Sequence, residues 1–133
     1  MYLIYPDNGN GLVEDNKWEG SLYKYPDGLI RQIRLKLKEH LPDLNEKFNR
    51  NSKYFGYCVK DDKDRVYIYV QKQKLVIDLD ISPDYITALE KYDFSVKQRD
   101  NFQKQNDWLT GWQVPHSTDI KKIMKWLLMA FNR

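Results

Sequence analysis

The sequence predicts an α+β domain: an antiparallel sheet built on a three-stranded meander, with helices packed on one face, in the order α-β-β-β-α-β-α. Three observations carry this. Val66 to Val70 and Leu75 to Ile81 are β-rich runs joined by four polar residues, Gln71-Lys72-Gln73-Lys74, which is a hairpin pattern. In the second run Leu75, Ile77, Leu79 and Ile81 alternate with Val76, Asp78 and Asp80, giving one apolar face and one face expected to be mostly wet. Ile30, Ile33, Leu37 and Leu41 recur at helical spacing instead.

The elements follow in order. Residues 1–26 read as an irregular N-terminal extension, with a short strand over Tyr2 to Tyr5 and a turn at Asn8-Gly9-Asn10-Gly11. Residues 27–133 form the single domain. Asp27 is the expected N-cap of a helix running from Gly28 to about His40, stopped by Pro42. Pro42 to Phe48 reads as a further short helical piece, with proline at a permitted first position. Tyr54 to Val59 is a strand, Asp61-Asp62-Lys63-Asp64 its turn, and the hairpin completes the meander. Ser82-Pro83-Asp84 ends the third strand and caps a short helix, Tyr85 to Lys91. Lys97 to Asp107 is polar apart from Phe102, as in an exposed loop or frayed helix. Trp108 to Gly111 is expected to turn and Trp112 to Val114 to form a short strand. Ser117 or Thr118 then caps the closing helix, whose core face is Ile120, Ile123, Met124, Leu127 and Phe131.

Composition narrows the function classes. A hydrophobic fraction of 41% in 133 residues suffices for a core without staples. Cys58 is the only cysteine, so an intrachain disulfide is impossible, and inside a strand it reads as a small apolar residue. No run approaches the roughly 20 apolar residues that span a bilayer, and the first residues lack a signal-peptide pattern. No membrane association and a cytoplasmic location are therefore expected. Lys and Arg number 22 against 19 acidic residues, a net charge of +3 that permits a polyanionic partner without demanding one.

Tyr67 to Leu79, with its Gln71 to Lys74 link and Leu-x-Ile-x-Leu run, resembles the strand pair of a bacterial family of unknown function. That family sits at the C-terminus of proteins labelled "predicted transport protein", or beside nuclease and restriction-type domains. Trp108 to Gly111, Trp112 to Val114 and Ser117 to Phe131 stand where it carries a Trp-Gly-x-Gly-type turn, a strand and a capped closing helix. The resemblance spans roughly Leu29 to the end; Leu109 and Asp107 depart from it. It implies an α+β fold and the company of DNA-processing or defence proteins, and it transfers no catalytic residue. The element order also resembles YjbR-like proteins, at the level of fold alone.

Catalytic constellations are missing from the sequence. Two histidines, His40 and His116, and one cysteine do not make a zinc site, and no cofactor is expected. Asp78 and Asp80 share a strand face and are a candidate for a hard cation or, more simply, part of a wet face. A metal-dependent nuclease needs Asp/Glu-x-Lys, and Val70 and Lys72 stand two residues before Lys72 and Lys74. His116-Ser117 lacks a third, orienting group.

Two binding signals remain. Arg31, Arg34 and Lys38 gather on one side of the first helix, Lys72 and Lys74 on the hairpin link, and Lys97, Arg99 and Lys104 around Phe102. Basic groups neutralise phosphates and interleaved aromatics stack on bases, although Glu39, Asp100 and Asp107 also fit a solvated surface of mixed charge. In the closing helix, Trp126 and Met129, flanked by Lys122, Lys125 and Arg133, form a partner-binding patch unless the extension with Trp18, Tyr23 and Tyr25 folds over them. The expected function is a non-catalytic, nucleic-acid-associated binding module; the alternative is a protein-interaction or homodimerisation module using the closing helix, and an enzymatic reading stays open behind both.

Overall fold

A computed structural model describes residues 28–49, 53–60, 62–85 and 108–132. The extension 1–26, the cap at Asp27, most of the helix expected over Tyr85 to Lys91, and the polar stretch to Asp107 with Lys97, Arg99 and Lys104 lie outside the described residues. So does Arg133.

The fold is α+β. Helix α1, Leu29–His40, is followed by strands β1 (Leu44–Asn49), β2 (Tyr54–Val59), β3 (Val66–Val70), β4 (Lys74–Leu79) and β5 (Leu109–Pro115), then helix α2 (Met124–Met129). The five strands form one sheet in chain order, every neighbouring pair antiparallel. The predicted meander is its centre, extended by one strand on each side.

Helix α1 buries Leu29, Ile30, Ile33 and Leu37, as its spacing predicts. Gly28 stands at its N-cap position with no side-chain cap bond. The helix closes on the Leu41 amide bonded to the Leu37 carbonyl, before Pro42. These apolar side chains join those of one sheet face, among them Leu44, Phe48, Phe55, Ile68, Ile77 and Trp112, in a single core. Ile123, Trp126 and Leu127 complete it from the C-terminal side.

Four local expectations are corrected. Residues 44–48 are a strand, not a helical piece: Leu44, Glu46 and Phe48 are buried while Asn45 and Lys47 are half-exposed, which is period two. Glu46, a charge at a core position, hides that alternation in the sequence. Trp108 to Gly111 is not a turn before a short strand; β5 starts at Leu109 and runs through it. The register shifts between Ile77 and Leu79, and Gly111, at φ 82°, takes up the irregularity. A positive φ costs glycine nothing, so the strand bulges and continues. Asp78 and Asp80 do not lie on a wet face; both are buried. Neither Ser117 nor Thr118 caps the closing helix: Asp119 Oδ1 accepts from the Lys121 amide (3.0 Å) and caps a 3-10 turn, Ile120–Lys122, and α2 follows from Ile123 with no side-chain cap bond of its own. Between β4 and β5 the described chain holds a 3-10 turn, Pro83–Tyr85, where the Asp84 amide donates to Ser82 Oγ.

Candidate nucleic-acid interface

The basic side expected of α1 is largely consumed by the fold. Arg34 is 4% exposed and points into the core. Its Nε and Nη2 donate to Glu46 Oε2 (2.8 Å) and Oε1 (2.6 Å), and its guanidinium lies 5.5 Å from the Phe55 ring centroid. Lys38 Nζ donates to the carbonyls of Pro42 and Leu44, satisfying backbone beyond the helix end. Arg31 is half-buried. Lys36 pairs with Glu39 across one helical turn. Arg34 therefore leaves the candidate site, because a buried carboxylate twelve residues along the chain, in β1, claims it.

The structure brings other basic groups together instead. Lys53, before β2, lies beside the end of β3, where the Val70 amide donates to its carbonyl (3.2 Å). Lys72 is exposed in the β3–β4 turn and Lys74 opens β4. Lys74 Nζ donates to Gln113 Oε1 on β5. His116, just past β5, donates from Nε2 to the Gln71 carbonyl (2.7 Å), since a carbonyl only accepts. One end of the sheet thus carries Lys53, Lys72, Lys74 and His116 among the amides of Asn49, Gln71, Gln73 and Gln113. Its described strand ends and turn hold no carboxylate; the next along the chain, Asp119, is engaged as a cap.

The carboxylates gather at the opposite end. Arg65 donates to Asp80 Oδ2 and Asp62 Oδ2, both at 2.8 Å, and Lys63 Nζ lies 3.9 Å from Asp80. The hydrogen bond from Arg65, then that from the Lys63 amide, holds the Asp62 carboxyl below its ordinary range. Asp43 faces Lys60, and Asp64 faces Lys47. The charges of this end compensate one another within the protein.

The sheet face turned away from α1 joins the two ends. The register places Asn49, Tyr54, Tyr69, Val76 and Gln113 in one row across all five strands. Tyr54 and Tyr69 are half-buried, with ring centroids 4.8 Å apart. In the next row Tyr67 stacks on Trp108 at 5.4 Å and donates its hydroxyl to Asp64 Oδ2 (3.3 Å). The sequence held a signal for this face: in Val66 to Val70 the tyrosines alternate with core residues, so Tyr67 and Tyr69 must share the other side. Asp78, on the same face, accepts from the Gly111 amide (3.0 Å) and is committed to the bulge.

The partner patch at the closing helix changes character. Trp126 is buried at 7% exposure, its ring 5.9 Å from that of Tyr85 and 4.8 Å from Lys125 Nζ. Met129 packs half-buried against the core, leaving Lys122 exposed. The exposed Trp126 that patch requires is not there, because its ring turns to the same core as Ile123, three residues before it, and Ala130, four after it.

Among the described residues no group of three His, Cys, Asp or Glu could hold a metal ion, and no helix is long and apolar enough to cross a membrane. Cys58 is buried. Compared with family models, with curated proteins and with solved structures, the chain matches none.

Proposed function

We propose that this protein is a non-catalytic binding module that takes nucleic acid at the lysine-bearing end of its sheet. The observation that supports this is the segregation of charge: Lys53, Lys72, Lys74 and His116 at one end, the carboxylates compensated at the other. A phosphate backbone is the partner such an end attracts, through release of its counterions. The resemblance of Tyr67 to Leu79 to a family that accompanies DNA-processing and defence proteins points the same way.

The test is binding of short oligonucleotides across a salt series. Affinity should fall steeply with salt. The triple variant Lys53→Glu/Lys72→Glu/Lys74→Glu should bind at least about tenfold more weakly, with a log–log salt slope shallower by about three. All three side chains lie at turns or strand starts, so the variant should keep the wild-type circular dichroism spectrum. Wild-type affinity in that variant, or no binding by the wild type at low salt, would remove the proposal.

A further inference from the structure

We infer that the buried cluster of Arg34, Glu46 and Tyr57 is a register lock, which fixes where α1 sits along the sheet and how β1 pairs with β2. Three elements meet at one carboxylate. Glu46 faces the core from β1, directly opposite Tyr57 on β2. Its Oε1 accepts from Arg34 Nη2 (2.6 Å), and its Oε2 accepts from Arg34 Nε (2.8 Å) and from the Tyr57 hydroxyl (2.6 Å). The ring of Phe55, two residues before Tyr57 on the same face, has its centroid 5.5 Å from the guanidinium. Both side chains of the charged pair are buried, so a displaced partner is not replaced by bulk water.

The apolar contacts do not fix this register by themselves. Hydrophobic burial is non-directional, and a core of the right volume loses uniqueness before it loses stability. The buried apolar residues of α1 are Leu29, Ile30, Ile33 and Leu37, all aliphatic. Sliding the helix by four residues, about 6 Å along its axis, sets Leu29 and Ile33 in the places of Ile33 and Leu37. That shift keeps apolar contact but brings Ile30 to Glu46, a buried carboxylate then without the guanidinium. The opposite shift sets Ile33, Leu37 and Leu41 in the places of Leu29, Ile33 and Leu37. It carries Arg34 into the place of Ile30 and offers Glu46 only Lys38, a point charge that does not reproduce the two-pronged contact. β1 has the same ambiguity. Leu44, Glu46 and Phe48 alternate inward, and a two-residue slip against β2 keeps the faces, since the period is two. It would set Glu46 opposite Phe55 or Val59 instead of Tyr57. One directional contact at a buried carboxylate disfavours each of these slips, and fixing register is the best-attested use of a costly buried polar group.

The test compares the full chain with its Arg34→Met/Glu46→Leu/Tyr57→Phe variant, by urea unfolding and by amide hydrogen exchange read by NMR. The triple variant should unfold at a urea concentration no lower than wild type. Its amides in α1 and β1 should nevertheless exchange at least about tenfold faster relative to those of β3 and β4. Signals from Leu29–His40 should be doubled or broadened, against one sharp set in wild type. A triple variant with one sharp set and the wild-type order of protection would overturn the inference. So would a lower urea midpoint with exchange accelerated evenly through helix and sheet, the behaviour of a cluster that only adds stability. Should the triple variant fail to fold, Arg34→Lys decides, because it keeps the charge and loses the two-pronged contact. Its α1 amides should again exchange faster relative to β3 and β4, and unchanged relative protection would overturn the lock.

Discussion

Replacing Glu46 with Ala should destabilise the protein by about 3–5 kcal/mol, measured by urea unfolding. Glu46 sits in the middle of β1 facing the core, and Arg34 reaches it from α1 with two hydrogen bonds. Tyr57 on β2 donates its hydroxyl to Glu46 Oε2 (2.6 Å). The side chains of the charged pair are 5% and 0% exposed. Burying two charges is costly in itself, and removing Glu46 takes from the buried guanidinium the carboxylate that accepts two of its hydrogen bonds. Replacing the whole cluster, Arg34→Met/Glu46→Leu/Tyr57→Phe, should come out neutral or stabilising, because the desolvation cost goes with the charges. A loss below about 1 kcal/mol in Glu46→Ala would show that water reaches the pair.

The same cluster sets a pH dependence. Burial first, and the Glu46 carboxylate second, push the Tyr57 hydroxyl well above its ordinary value. The folded protein therefore keeps a proton that the unfolded chain releases near pH 10. Stability from this group is complete below about pH 10 and is lost as pH rises beyond it. Wild type should lose urea resistance above pH 10 more steeply than Tyr57→Phe; equal slopes would mean the hydroxyl is hydrated.

Trp112→Ala should cost about 3–5 kcal/mol, the usual range for truncating a fully buried indole. Trp112 is 0% exposed, directly opposite Ile77 on β4 and one residue past the bulge glycine. Against a total stability of about 5–15 kcal/mol, the loss should lower the melting temperature by roughly 10–20 °C. The form of the transition matters as much as its position. β5 is the last strand of the sheet, reached from β4 through residues 80–108, yet its side chains lie in the same core as those of α1. Unfolding should stay a single cooperative step, by calorimetry and by tyrosine and tryptophan absorbance alike. Two separated steps would mean that β5 is a dispensable edge.

The meander and α1 were legible because their signals are local. Val66 to Val70, Leu75 to Leu79 and Ile30-Ile33-Leu37 show their period without reference to anything distant. Two of the corrections share a cause. Glu46 and Asp78 carry charge at positions where the sequence alone argues for solvent, and each is buried because a partner far along the chain meets it: Arg34 from α1, and the Gly111 amide from β5. The candidate site divides in the same way. Lys72 and Lys74 lie in a turn that any reading would expose, while Arg34 belongs to the core and Lys53 and His116 reach the site only through pairing of strands distant in sequence.

The sequence by itself determined which segments are helix and strand where apolar period and turn chemistry agree, and that the chain has a core of its own. Only the tertiary structure decided which charges are spent inside and which remain at the surface. Periodicity is a property of a few consecutive residues, whereas the fate of a charge depends on the residue that faces it across the sheet or from the helix above.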